Sequence, residues 1–186
     1  MSIFEDIRKD KKYSATNSVA WFRKNVTNAF QNLGTQQFMG DNQASQTSRI
    51  VPGTMVFFGY DPKYKDELPY YDKFPLILPF HVDSTHFMGL NLHYLPPQMR
   101  ILLLDKLLHF NRNKDTAPKM KIQMSWELLK GISQTKAVEY SVKKYLHGQV
   151  KSKFIVITPD DWPIACMLPL ARFAKADEKT VWKGFK

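Results

Sequence analysis

The chain has few of the parts from which catalytic or metal centres are built. Cys166 is the single cysteine in 186 residues, so an internal disulfide and a cysteine-ligated zinc are both excluded. A reducing cytosol, or the interior of a particle assembled there, is the expected setting. No apolar run approaches the roughly 20 residues that span a bilayer. The first residues, with Glu5, Asp6 and Asp10 among basic neighbours, lack the apolar centre of a signal peptide. No membrane partner is expected. The glycines fall in neither Walker nor dinucleotide spacing. The five histidines, His81, His86, His93, His109 and His147, lack the i, i+4 helical pairing with a glutamate that a zinc hydrolase needs. His81 and His86 can meet across a hairpin, but two satisfied imidazoles are expected there rather than a metal ion. Asp61, Asp66, Glu67 and Asp72 match no two-metal nuclease arrangement. Neither a strand–Ser–helix elbow nor an activated cysteine setting is present. These absences predict a protein that is not an enzyme and takes no cofactor and no metal.

What remains is a basic, aromatic, globular chain. The apolar fraction is 44% and the aromatic fraction 13%, enough for an ordinary single-domain core. Net charge is +10, and it is unevenly placed. Residues 1–49 carry a net +3, residues 50–110 a net −1 and residues 111–186 a net +8. A neutral middle followed by a strongly basic half is what a polyanion-binding protein shows, although lysine-rich faces are also often simply solvated.

The pattern predicts an α+β fold in which a small antiparallel β-sheet or barrel, over about 54–94 plus a strand at 150–158, is packed by several helices. Thr54–Tyr60, Phe74–Val82 and Phe87–Tyr94 are the expected strands, rich in β-branched and aromatic residues. Asp83-Ser84-Thr85-His86 has hairpin-loop composition. Helices are expected at Val19–Asn32, Met99–Phe110, Ser125–Lys130 and Gln134–His147, and a kinked one at Pro159–Ala174. Arg100, Asp105 and Lys106 should face water on the second of these. The division is therefore 1–49, an N-terminal helix and polar arm; 50–174, the α+β core; and 175–186, a basic tail with Trp182 and Phe185 that reads as a frayed arm or a partner-binding peptide.

The segment Tyr60–Phe74 has the most distinctive chemistry. Tyr64, Tyr70 and Tyr71 are interleaved with Lys63, Lys65 and Lys73, the combination that stacks on bases and contacts phosphates. Four carboxylates in the same segment oppose phosphate, and tyrosines packed in the core with hydroxyls bonded to backbone are the more expected reading of the composition. Further lysines that could grip a phosphate backbone are Lys136, Lys143 and Lys144 on an expected helix and Lys151 and Lys153 on an expected strand. With Lys63, Lys65, Tyr64, Tyr70 and Tyr71 they form the candidate DNA-binding set.

Three stretches go further than composition. Gly53 with Phe57–Lys63 (FFGYDPK), Leu68–Pro75 (LPYYDKFP) and Gly89–Pro96 (GLNLHYLP) resemble the DNA end protector, or head-completion, family of T-even-type tailed phages and their marine and cyanobacterial relatives. MSIFEDIRKD at the start and Trp21-Phe22-Arg23 are similar as well. The resemblance implies a virion protein that binds the ends of packaged linear double-stranded DNA and shields them from a host exonuclease of the RecBCD type after injection. It also implies contacts with other head or neck proteins, and residence in the virion and in the host cytoplasm. A homo-oligomer is left open. The alternative is a purely structural head, neck, tail or baseplate protein that contacts only other virion proteins.

Overall fold

The computed structural model describes residues 46–111, 131 and 136–183. The expected helices at Val19–Asn32 and Ser125–Lys130, and most of the polar arm, lie outside the described residues. In chain order the strands are β1 (Gln46–Thr47), β2 (Met55–Phe57), β3 (Tyr71–Asp72), β4 (Leu76–Val82), β5 (His86–Asn91), β6 (Val142–Leu146), β7 (Phe154–Ile157) and β8 (Phe173–Ala174). The described helices are α1 (Pro97–Asn111), α2 (Lys136–Glu139), α3 (Trp162–Met167) and α4 (Glu178–Lys183).

Six strands form one antiparallel sheet in the order β1-β7-β2-β4-β5-β6, and β3 pairs with β8 in a small second sheet. The expected α+β class and antiparallel sheet are present, but the barrel is not. Strands β1 and β6 are edges that do not pair with each other, so the sheet stays open.

Alternation along β2 explains why its sequence is an unbroken apolar run. Met55 and Phe57 join the cluster under the helices, while Val56 and Phe58 join a second cluster on the opposite face with Phe87, Tyr145 and Phe154. A strand covered on both faces has no polar side to show. Strand β4 repeats this, with Leu76, Leu78 and Phe80 facing one way and Ile77 the other. The β4–β5 turn is held by Asp83, whose Oδ1 accepts from the amides of Thr85 at 2.7 Å and His86 at 2.8 Å, as its loop composition predicts.

Four expectations are corrected. The helix expected over Gln134–His147 is only α2, after which the chain turns at Ser141 and becomes β6. Ser141 N and Oγ both donate to Val138 O, at 2.8 and 2.7 Å, and β6 then pairs with β5 from His86 to Leu90. Val138 and Tyr145, seven residues apart, fit a helical stripe by spacing, but an available sheet edge decides the outcome. The strand expected from Val150 begins at Phe154, so Lys151 and Lys153 precede it rather than ride on it. The helix expected to Ala174 stops at Met167, where Leu168-Pro169 imposes an extended backbone.

Arg100 is the fourth. It is buried, not solvated, and donates to the carbonyls of Leu95 at 2.8 Å, Cys166 at 2.9 Å and His93 at 3.3 Å. Desolvation lowers its pKa, but a guanidinium retains its charge in any case. It ties α1 to α3 and to the 3₁₀ turn Leu92–Tyr94. The tail is likewise not a free arm as far as Lys183: α4 docks Trp182, whose Nε1 donates to His93 O at 2.9 Å and whose ring lies 5.6 Å from the Arg100 guanidinium. Among the described residues no helix is long and apolar enough to cross a membrane.

Candidate nucleic-acid interface

Between the loop after β2 and the edge strand β6 lies a partly open recess of about 510 Å³. Its floor is Tyr94 and Tyr145, both buried, with Tyr60 beside them. Tyr70 and Tyr71 are half-buried in its walls, and Tyr64, 56% exposed, stands at the lip with Leu68. Lys63, Lys143 and Lys144 border it.

Each wall is held by contacts far apart in sequence. The loop wall is fastened by Lys175, whose Nζ donates to the carbonyls of Lys65 at 2.7 Å, Asp66 at 3.0 Å and Leu68 at 3.1 Å. Lys175 itself has φ 66°, in the left-handed region. Behind the floor, Asp72 Oδ2 lies 2.7 Å from His93 Nδ1 and accepts from Asn91 Nδ2 at 3.1 Å, while Oδ1 accepts from Phe74 N at 3.0 Å. Both oxygens of this carboxylate are therefore engaged on the protein side. Asn91 Nδ2 also donates to the Tyr145 hydroxyl at 3.0 Å, and Leu146 N donates to the Tyr60 hydroxyl at 3.1 Å. The two rings meet edge to face, with centroids 4.9 Å apart.

The electrostatics leave donors in the recess. Burial raises the pKa values of Tyr60, Tyr94 and Tyr145, so these phenols stay protonated at neutral pH. The Lys143 ammonium sits 4.2 Å from the centroid of the Tyr94 ring, and desolvation lowers its pKa. Among the described residues no carboxylate pairs with it. A partly desolvated cation over an aromatic face, without a counter-charge, is a place where an anion binds well. Lysines on an exposed edge strand such as β6 also deter pairing with another chain, and that role is compatible with the first.

Of the ten candidate residues, the fold gathers Lys63, Tyr64, Tyr70, Tyr71, Lys143 and Lys144 at this recess. Lys65 is nearby but engaged: its Nζ donates to Asp61 Oδ1 and Oδ2 at 3.2 and 3.3 Å, and that hydrogen bond raises its pKa. Lys151 and Lys153 line a separate, shallower hollow with Ser48 and His147. The two hollows flank the end of β6, Leu146 bordering one and His147 the other. The side chain of Lys136 lies outside the described residues.

Tyr94, Tyr145 and Lys175 are additions to the predicted set. Tyr94 stands in the GLNLHYLP stretch, but nothing local marks it as a recess floor. His81 and His86 do meet across the hairpin, with rings 5.7 Å apart and Asp83 Oδ2 between them at 3.5 and 2.8 Å. These three side chains could hold a metal ion, their ligand atoms all lying within 4.8 Å of one another. Asp83 is held well below the usual carboxylate range by the His86 and Thr85 amides.

A recess lined by tyrosines and lysines and presenting donors is suited to nucleic acid. Comparison with known proteins identifies the family. No curated protein and no solved structure matches the chain. Residues 1–183 match the family described as Phage T4 terminal DNA protecting protein. The match covers nearly the whole chain, and this protein therefore belongs to that family of phage proteins that protect DNA ends.

Proposed function

We propose that the protein seats the terminus of a linear DNA duplex against the tyrosine–lysine recess and protects it by occupancy, without chemistry of its own. The observation that carries this reading is the convergence of Lys63, Lys143 and Lys144 on the mouth of one aromatic recess. Ammonium groups neutralise terminal phosphates, and the rings offer stacking surface that a base inside a duplex cannot reach. An exonuclease of the RecBCD type must load on a free terminus, so a seated protein blocks it sterically. Virion packaging and delivery into the host cytoplasm with the DNA follow from this role. The hollow at Lys151 and Lys153 would extend the phosphate contact along the duplex.

The test is exonuclease digestion of linear duplex in the presence of wild-type protein, Lys143→Gln/Lys144→Gln or Lys151→Gln/Lys153→Gln. Protection should be lost with the first double variant and weakened with the second. Binding should fall steeply with salt, with a log–log slope of about −0.9 per phosphate neutralised. Affinity for closed circular duplex equal to that for linear duplex would sink the proposal. Assembly through protein contacts alone, with head or neck proteins or with further copies, is the competing reading. Trp182, which a partner-binding tail would present, packs instead against Arg100 and His93.

A further inference from the structure

The recess is too small for a duplex end and the right size for one nucleotide. Its volume is about 510 Å³, that of a small-ligand site and not of a cleft that encloses a whole base-paired terminus. It falls within the roughly 300–1,000 Å³ of pockets that enclose single small ligands. Its lining is also more specific than a flat stacking platform. Tyr94 and Tyr145 close the floor, Tyr64 is exposed at the lip with the Lys63 ammonium 5.2 Å from its ring centroid, and Lys143 is half-buried beside the floor with no carboxylate partner among the described residues.

We infer that the recess takes a single unpaired nucleotide, frayed or overhanging from the DNA terminus, with its base between the tyrosine rings and its phosphate at Lys143. The inference rests on the end-binding reading above and adds to it how an end is told from the middle of a duplex. A terminal nucleotide leaves the stack by giving up stacking on one side only, whereas one inside a duplex must be flipped out from between two neighbours. The chemistry of the lining fits that occupant. The hydroxyls of Tyr60 and Tyr145 each accept a hydrogen bond from the protein and retain a proton to donate. Asp72, the one carboxylate among the described lining residues, is occupied by His93, Asn91 and the Phe74 amide. The recess therefore offers donors and aromatic faces, matched to the carbonyl edge of a base and to phosphate oxygens.

The test compares hairpin-closed duplexes that have one free terminus, either blunt or carrying one unpaired nucleotide, with free deoxynucleoside monophosphate as competitor and fully closed duplex as control. Wild-type protein should bind the unpaired terminus about tenfold more tightly than the blunt one. That factor corresponds to about 1.4 kcal/mol, the mean stacking energy of one base-pair step, which the blunt end must give up. In Tyr64→Ala and in Lys143→Met, folded as judged by circular dichroism, the ratio should fall towards one. Equal wild-type affinity for blunt and unpaired termini, both above the closed duplex, would overturn this inference and leave end binding standing. Equal affinity for all three would remove end binding itself. Competition by the free nucleotide without any preference between termini would also overturn it, by making the recess a site for small nucleotides rather than DNA ends.

Discussion

Asp72 Oδ2 and His93 Nδ1 stand 2.7 Å apart, each side chain 1% exposed, and this contact fastens the short strand β3 to the turn that follows β5. It is the link between the recess and the sheet. The carboxylate also orders Asn91, which in turn holds the Tyr145 hydroxyl, so a floor residue is positioned through it. With Nδ1 donating to the carboxylate, His93 Nε2 is buried with no hydrogen-bond partner among the described residues, where the ring's side-chain polar contact is Asp72. Asp72→Ala should cost about 3–5 kcal/mol, the range for removing one partner of a buried pair, read as a shift in the urea unfolding midpoint. Asp72→Asn, which keeps an acceptor oxygen, should cost less. A loss under about 1 kcal/mol for the alanine variant, within the range of an ordinary net hydrogen bond, would contradict the linkage.

Gly89 of β5 lies opposite Pro79 of β4. A Cβ there would meet Leu78 O at 2.9 Å and Pro79 Cα at 3.0 Å, both backbone atoms that cannot swing aside. Gly89→Ala should therefore destabilise by about 1–3 kcal/mol, as overpacking does, and thermal unfolding measures it. Gly148, with open space around the same position, serves as the control: Gly148→Ala should be near neutral.

Lys175 couples the carboxyl-terminal segment to the recess without lining it. Its ammonium holds three loop carbonyls, and its backbone is in a region that costs a non-glycine residue about 1–3 kcal/mol. Lys175→Gly relieves that strain while removing the three hydrogen bonds. The expected outcome is an unfolding midpoint at or above wild type, together with faster amide exchange over 64–68 and weaker binding to linear duplex. Unchanged exchange in that loop would show that Lys175 does not order it.

Cys166 provides a pH test. It is fully buried, and desolvation pushes its thiol up to about 12, against about 8.5 for a free cysteine. Between those values the unfolded chain releases the proton and the folded chain keeps it, so the stability contribution is whole below about pH 8.5 and declines as pH rises towards 12. Native protein should resist a maleimide at pH 8 and react once urea unfolds it. Cys166→Ala should flatten the alkaline decline. Rapid labelling of the native protein would contradict the burial.

Lys143 and Lys144 illustrate how the same residues can be singled out for a reason the fold does not honour. Positive charge on a helix face led to them, yet they sit on edge strand β6, and they matter because β6 passes the Tyr60–Tyr71 loop. Arg172 and Lys175 show the opposite error. Both contribute to the basic surplus of residues 111–186, but both donate to backbone carbonyls, so charge counted along the chain overstates the charge available to a ligand.

The amino-acid sequence by itself determined the central strands, the Asp83 turn, the antiparallel sheet, the absence of a disulfide and, through three short stretches, the family. Those features depend on local side-chain shape, turn chemistry and residue identity, all of which are written in consecutive residues. Tertiary structure alone decided that the sheet stays open, that 142–146 is a strand, and that Tyr94, Tyr145 and Lys143 share a recess with a loop over 70 positions away from the last of them. Those depend on which sheet edge is free and which backbone carbonyls come within reach of a cation. Such questions of position have no counterpart in the spacing of residues along a chain.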